Sequence, residues 1–526
     1  MGQRLSTLQI LAMAILMVLM LFMWQGNKGF SLWDEGFLWY GAQRVMVGEV
    51  PIRDFMAYDP GRYYWSAAIM SLSGNNGIMT LRAAGALFQA IGLFVGLLLI
   101  ARSEIRQKIL YLLLSAITLE AWMFLYYKVF DITVSILLIG ALTFLIQNPT
   151  RKRYFVSGLC VGLVAIFGRN HALYGVAASI GSIVWINIKR VSNPEFIKGL
   201  ALWASGLCVG LTPLLCMALV IPGFAAAFLE SVRFLFEIKA TNLFLPIPWP
   251  WLVGFASVPF GEAIREVLIG LFFIGTIVFG LLSVIWVVVQ QLYGKKVAPT
   301  LVAASSLALP YAHYAYSRAD DAHLSFGIFP FLIGCLALLA TQLAKVKWPL
   351  AFILCGASLW VTLVHQPGWQ SWTNNWVSIE ISGDNLLVDA ATASDVELLR
   401  KLTQRYAPNG RSFIAAPFWP GAYALMGRKS PVWEIYALFP RRESFERDEI
   451  ERIKMTKPGF VLIYDFALDG HEALRFQKSH ALLYHYIIDH FERLPDSPKS
   501  VYEIYIAKGD NEGCERRCEN PVNSPL

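Results

Sequence analysis

Residues 31–37 read Ser31-Leu32-Trp33-Asp34-Glu35-Gly36-Phe37, two adjacent carboxylates just past an apolar run at 7–24. Burying a carboxylate in lipid costs several kcal/mol, so acids at the end of a membrane span mark a place where charge is used. They open a stretch of about 35 residues, rich in Trp, Tyr and Arg, that runs to Asp59-Pro60-Gly61-Arg62-Tyr63-Tyr64-Trp65. A membrane anchor followed by a polar, aromatic loop predicts a lid over a site at the water–lipid boundary.

The rest of the chain fits that reading. Its 526 residues are 56% hydrophobic and 15% charged, against roughly 25% charged in an ordinary soluble domain. Apolar runs recur at about 7–24, 78–101, 108–126, 131–147, 154–168, 172–188, 197–221, 264–290, 298–315, 324–343 and 348–364. They predict a polytopic α-helical membrane protein with about eleven transmembrane helices. No small-x-small cleavage site follows the first run, so it reads as a retained helix and not a signal peptide. Basic clusters fall in alternate connections: Arg4, then Arg102 with Arg106 and Lys108, Arg151 to Arg153, Lys189 and Arg190 with Lys198, Lys295 with Lys296, and Lys345 with Lys347. By the positive-inside rule that side, with the N-terminus, is cytoplasmic, and the opposite face is extracytoplasmic. The net charge of +7 is thus a topology signal and not a nucleic-acid footprint. Five cysteines lie in apolar runs and pack as small hydrophobes. Cys514 and Cys518, close together in a polar tail, suit a local disulfide if that tail lies outside the cytoplasm.

Two domains are expected. Residues 1–365 form the transmembrane part, with a first outer loop at about 25–77, and 366–526 form a soluble extracytoplasmic α/β domain. In the latter, 412–417, 459–464 and 501–506 read as strands, and 443–455 and 478–493 as helices, with a capped amphipathic helix starting at Ser394.

The ionisable residues gather in the outer connections. Asp34 or Glu35 is placed to act as general base on a hydroxyl, and Asp34 equally suits the cap of the helix that follows. Asp59-Pro60-Gly61 is a turn, and Arg62 beside it either grips a lipid phosphate or snorkels to head groups. Gly168-Arg169-Asn170-His171 joins two spans almost without a loop, where Arg169 suits a phosphate or a sugar and His171 reads as an interfacial histidine. In Tyr316-Ser-Arg318-Ala-Asp320-Asp321-Ala-His323, Arg318 suits a phosphate leaving group, and the acids suit orienting Arg318 or His323. Two acids and one histidine are a loose ligand set for a metal. Leu245-Pro-Ile-Pro248-Trp-Pro-Trp251 reads as an interfacial anchor, and no Gly-rich phosphate loop suggests a nucleotide.

Four motifs together resemble the GT-C superfamily of membrane glycosyltransferases, on the side of protein mannosyltransferases and aminoarabinose transferases. They are Trp33-Asp34-Glu35-Gly-Phe, Tyr58-Asp-Pro60-Gly-Arg-Tyr-Tyr64, Leu81-Arg82-Ala-Ala-Gly, and Arg318-Ala-Asp320-Asp321-Ala-His323. The resemblance implies an inverting transfer of a sugar from a polyprenyl-phosphate carrier to a glycan, lipid or protein acceptor. It implies Asp34 as base, Arg318 and His323 near the donor phosphate, and no cofactor, with a divalent metal left open. It also implies a multi-pass protein of a bacterial cytoplasmic membrane. Aminoarabinose-transferase-like members carry a lysine before the prolines of the first loop where this chain has Asp59, which leaves both sugar and acceptor open. A lipid-linked-sugar flippase and a glycan polymerase or ligase are the rival readings; a transporter would place its charges near the bilayer midplane and repeat internally.

Overall fold

The computed structural model describes residues 5–103, 109–188, 194–240, 242–495, 497 and 499–508. Arg4, Arg106, Lys108, Lys189, Arg190 and the Cys514/Cys518 pair lie outside the described residues. The chain divides into two compact units. One comprises 1–28, 59–69 and 79–373, the other 29–58, 70–78 and 374–526.

The first unit is helical, and each apolar run of the sequence carries a helix or a bent helix pair. Five helices are long and apolar enough to cross a membrane: Thr7–Gln25, Ile78–Arg102, Tyr126–Gln147, Phe260–Leu292 and Ala344–His365. Two bent pairs, Phe196–Gly210 with Thr212–Val220 and Asp321–Gly327 with Phe329–Ala340, raise the number to seven. The chain is a membrane protein, and eleven crossings are not confirmed. The shortfall has a physical cause. Ile109–Ala121 stops after 13 residues, and Pro299–Tyr316 carries two serines, a histidine and three tyrosines in its 18 residues, with Ser305 and Tyr311 buried. Both bends coincide with a proline near the start of the second helix, Pro213 and Pro330, whose missing N–H and fixed φ break the ladder.

At the centre runs Val129–Gln147, buried along most of its length and packed on Arg151–Val164, Arg169–Asn187, Pro299–Tyr316 and Phe329–Ala340. Arg151–Val164 in turn lies backbone to backbone on Pro194–Gly210. Gly158 and Gly162 face Gly206 and Gly210, and a Cβ on any of them would collide with a carbonyl oxygen of the opposite helix. Such small-residue spacing on both helices lets them approach where lipid offers no hydrophobic drive.

The second unit has a helix–sheet core. Strands β1 (Trp376–Ile381) and β2 (Asp384–Asp389) form an antiparallel hairpin. Asp389 then caps the helix Ala390–Tyr406 by accepting from Thr392 N at 2.9 Å, five residues ahead of the cap read at Ser394. Strands β3 (Ile414–Ala416), β4 (Phe460–Tyr464), β5 (Phe491–Arg493) and β6 (Tyr502–Ala507) make a sheet of order β3-β4-β6-β5, with β3 parallel to β4 and the rest antiparallel. Ile414, Ile453, Val461, Ile463, Ile487 and Tyr505 form its core with the helices Glu443–Thr456 and Ala481–His490.

Residues 29–58 are stitched into this unit. Gly29 N donates to Leu387 O at 2.8 Å, Met56 N to Trp433 O at 2.9 Å, and the Trp433 indole to Ile52 O at 3.0 Å. The helix Asp34–Met46 meets Pro420–Met426 where Gly36 touches Gly421, again leaving no room for a Cβ.

Replacing Gly206 by Leu is expected to cost about 3 kcal/mol or to prevent folding, since the clash is with backbone that cannot move aside. Loss of a monodisperse peak and a lowered thermal midpoint in detergent would show it, whereas Gly181→Leu, at a position with open space, would leave both unchanged.

Candidate functional site

The helical unit gathers its charges into linked networks. Arg62 is buried and donates through both terminal nitrogens to Asp131, at 3.1 Å each, and also to Phe167 O at 3.0 Å. Asp131 is buried as well, and three segments supply its partners. His171 Nε2 donates to it at 2.9 Å, and Lys128 Nζ lies 3.9 Å away. With Nε2 carrying that proton, His171 Nδ1 takes a hydrogen bond from the Tyr311 hydroxyl at 2.7 Å. His171 and Tyr311 are fully enclosed.

Next to this network Asp59 faces Arg169. Its Oδ2 accepts from Arg169 N at 2.9 Å, at the first residue of the helix Arg169–Asn187, and its Oδ1 lies 2.8 Å from Arg169 Nε. An acid at a helix start answers both the free N–H groups and the dipole. The far edge of the Arg169 guanidinium donates to Ser231 Oγ at 2.8 Å and covers the Phe228 ring.

The neighbours Asp320 and Asp321 part company. Asp320 caps the short helix Asp321–Gly327, accepting from His323 N at 2.7 Å and from His323 Nδ1 at 2.7 Å, while Arg318 Nε donates to its other oxygen at 2.7 Å. Burial pushes the Asp320 pKa up, but His323 and Arg318 outweigh it and hold the carboxyl below its ordinary value. His323 Nε2, left as acceptor, takes a hydrogen bond from Asn242 Nδ2 at 2.7 Å. Asp321 turns instead to His365 Nε2 at 2.6 Å and Arg265 at 3.2 Å, and Arg265 is held by Glu262 at 2.6 Å. Tyr314 and Phe326 join the two sets: Tyr314 packs on His171 and on Phe326, and Phe326 packs on His323 and lies under Lys128. Among the described residues, no group of three or more His, Cys, Asp or Glu side chains is placed to hold a metal ion.

In the other unit Asp34 is the first residue of the helix Asp34–Met46, not its cap; Trp33 occupies the cap position and makes no side-chain cap bond. The half-buried Asp34 carboxylate accepts instead from the Tyr436 hydroxyl at 3.0 Å. Around it Trp33, Phe37, Phe418 and Tyr436 pack as tilted rings on one another, and Phe466 packs on Trp33 and, edge to face, on Phe418. Glu35, next in the helix, is buried.

No protein-family model matches this sequence, and neither does any curated protein. Solved structures do match. ArnT from Cupriavidus metallidurans bound to undecaprenyl phosphate aligns over 95% of this chain and 97% of its own, at 12% identity and a TM-score of 0.54. Its apo form aligns over the same shares at 11% and 0.51. The apo oligosaccharyltransferase of Archaeoglobus fulgidus aligns over 93% of this chain and 73% of its own, at 13% and 0.47. The chain has the GT-C fold.

Within the GT-C fold of this chain, seven of the nine residues singled out from the sequence fall in the helical unit. These are Asp59, Arg62, Arg169, Arg318, Asp320, Asp321 and His323; Asp34 and Glu35 belong to the other unit. The structure pairs Asp59 with Arg169, and Arg318 with Asp320 and His323, and it sends Arg62 and Asp321 to partners the sequence reading did not single out. Tyr311, Arg265 and His365 were missed, and Asp131, noted beside Lys128 in an outer connection, was not singled out for the site. Asp131 stands at the very edge of an apolar run and Tyr311 lies within one, and no local signal distinguishes a polar residue that meets a charge from one that meets nothing.

Replacing Asp131 by Asn leaves the buried Arg62 guanidinium without its counter-charge and is expected to cost about 3 kcal/mol or more. Thermal unfolding of the detergent-purified protein would report it. Arg318→Ala, which removes a cation from a less enclosed edge, should leave the midpoint close to wild type.

Proposed function

We propose that this protein is an inverting glycosyltransferase, moving a sugar from a polyprenyl-phosphate carrier to an acceptor hydroxyl on the extracytoplasmic face of a bacterial cytoplasmic membrane. Cell-surface glycan or lipopolysaccharide is its field of action, the N-terminus is cytoplasmic, and residues 366–526 are extracytoplasmic. The observation that carries the reading is the pair of half-enclosed arginines, Arg169 and Arg318, each held along one edge by an aspartate that also satisfies the N-terminus of a helix. The alignment along nearly the whole chain with an undecaprenyl-phosphate-bound GT-C structure supports it.

The chemistry follows from these groups. Asp34, less enclosed than Glu35 and oriented by Tyr436, takes the proton of the acceptor hydroxyl. The acceptor oxygen attacks the anomeric carbon from the side opposite the carrier. The bond from that carbon to the phosphate oxygen breaks, and both electrons leave with the phosphate. Arg318 and Arg169 receive the charge that develops there, because a guanidinium already fixed by a carboxylate needs no reorganisation at the moment of transfer. Arg62, enclosed and engaged through its terminal nitrogens by Asp131 and Phe167 O, positions the segment that carries Asp59 and does not meet the donor. Lys128, between Asp131 and Phe326, is a further cation for the donor phosphate.

Membranes bearing wild type or variants, given a panel of radiolabelled polyprenyl-phosphate sugars, test this. Wild type is expected to turn over at least one donor. Asp34→Asn should lower the rate by about a hundredfold or more, and Arg318→Ala by a similar factor, with expression unchanged. Asp34→Asn retaining full rate would move the base to Glu35, and no turnover across the panel would favour a lipid-linked-sugar transporter.

A further inference from the structure

A second polar site lies apart from these networks, where three helices end together. Thr7–Gln25, Ile109–Ala121 and Ala344–Thr362 converge at their C-termini, and between them is a cavity of about 260 Å³. Its walls are apolar, among them Met20, Leu359 and Leu363. Met20 and Leu359 are exposed on membrane-crossing helices, so the cavity's mouth meets lipid. The floor is different. Gln25 Nε2 donates to Gln366 Oε1 at 2.7 Å, and Gln366 Nε2 donates to the terminal carbonyl of Ala121 at 3.3 Å.

Glu120 lines this cavity and is the one ionisable residue that does. It is buried, with Oε1 accepting from Gln89 Nε2 at 3.0 Å. Among the described residues its Oε2 has no hydrogen-bond partner and no cation pairs with it. Trp24, which also lines the cavity, has a buried indole N–H without an acceptor among the described residues. A carboxylate oxygen and an indole N–H both left open in one cavity call for a ligand carrying a donor and an acceptor, because orphaned buried polar groups cost free energy. The three helix C-termini present the negative ends of their dipoles, which favours a cation as the donor. The apolar walls and lipid-facing mouth suit an acyl chain.

We propose that this cavity binds one bilayer phospholipid with a primary-ammonium head group. The ammonium donates to Glu120, the Trp24 indole donates to a phosphate or ester oxygen of the same molecule, and one acyl chain lies along Met20 and Leu359. The site is built by the helix ends alone and does not depend on the glycosyl-transfer reading.

Native mass spectrometry of the purified full-length protein with equimolar dioleoyl phosphatidylethanolamine, phosphatidylcholine and phosphatidylglycerol tests it. Wild type should retain one phosphatidylethanolamine in preference to either other lipid by about tenfold, the scale of one charge-assisted hydrogen bond. Phosphatidylcholine carries the charge without an N–H, so equal retention of it would overturn the proposal, as would equal retention of phosphatidylglycerol. Glu120→Gln keeps the acceptor for Gln89 and should abolish the preference; an unchanged preference overturns the assignment. If that variant fails to fold, Leu363→Trp decides: it fills the apolar wall and leaves the carboxylate, so a retained phosphatidylethanolamine adduct would sink the site.

Discussion

A guanidinium enclosed by helices in a membrane protein needs a carboxylate, and the Arg62–Asp131 pair is the constraint on which the charged networks depend. Asp131 stands in the first turn of the most buried helix, Val129–Gln147, and receives two hydrogen bonds from Arg62 and one from His171. Through it the start of Gly61–Ser73, the turn at Phe167, the start of Arg169–Asn187 and Tyr311 of Pro299–Tyr316 are held in one register. Breaking a buried pair of this kind costs more than forming it gains, because the survivor has no water to turn to. The pair therefore specifies which helix ends meet as much as it stabilises them.

That register leaves two other cations in a different state. Arg62 spends its donors on Asp131 and a carbonyl, whereas Arg169 and Arg318 are each engaged along one edge by an aspartate. Both aspartates also cap or face helix starts, so their positions are fixed by backbone as well as by charge. A cation held in this way is pre-set for an anion. The two arginines of similar sequence appearance, Arg62 and Arg169, thus have opposite fates. The difference is burial and partner, which neither residue's neighbours in the chain disclose.

Glu120 extends the same logic. Arg62 and Asp131 pair with one another within the protein, while Glu120 is, among the described residues, satisfied on one oxygen only and sits where apolar walls face lipid. A membrane protein has a solvent of amphiphiles to draw on, and a polar group at the lipid boundary is open to partners that a soluble core lacks.

Much of the architecture is legible in the chain itself. Every apolar run became a helix or a bent pair, because backbone in lipid must satisfy its own hydrogen bonds. The strands read at 412–417, 459–464 and 501–506 are present as β3, β4 and β6, since alternation and β-branched residues act locally. The hairpin β1–β2 escaped that reading although Ser382-Gly383 marks its turn with two positive-φ residues. Eleven crossings were expected, and five to seven helices are long and apolar enough among the described residues; hydropathy reports what is apolar, and not whether a helix faces lipid or other helices. The sequence by itself determined the elements, the membrane setting and the residue types that carry charge, all of which follow from interactions within a few residues or with solvent. Only the tertiary structure decided the partners, pairing Arg62 with Asp131, parting Asp320 from Asp321 and drawing 29–58 to the C-terminal unit. Coulombic and hydrogen-bond partners are set by distance in space, and residues 69 apart in the chain leave no local trace of lying 3.1 Å apart in the fold.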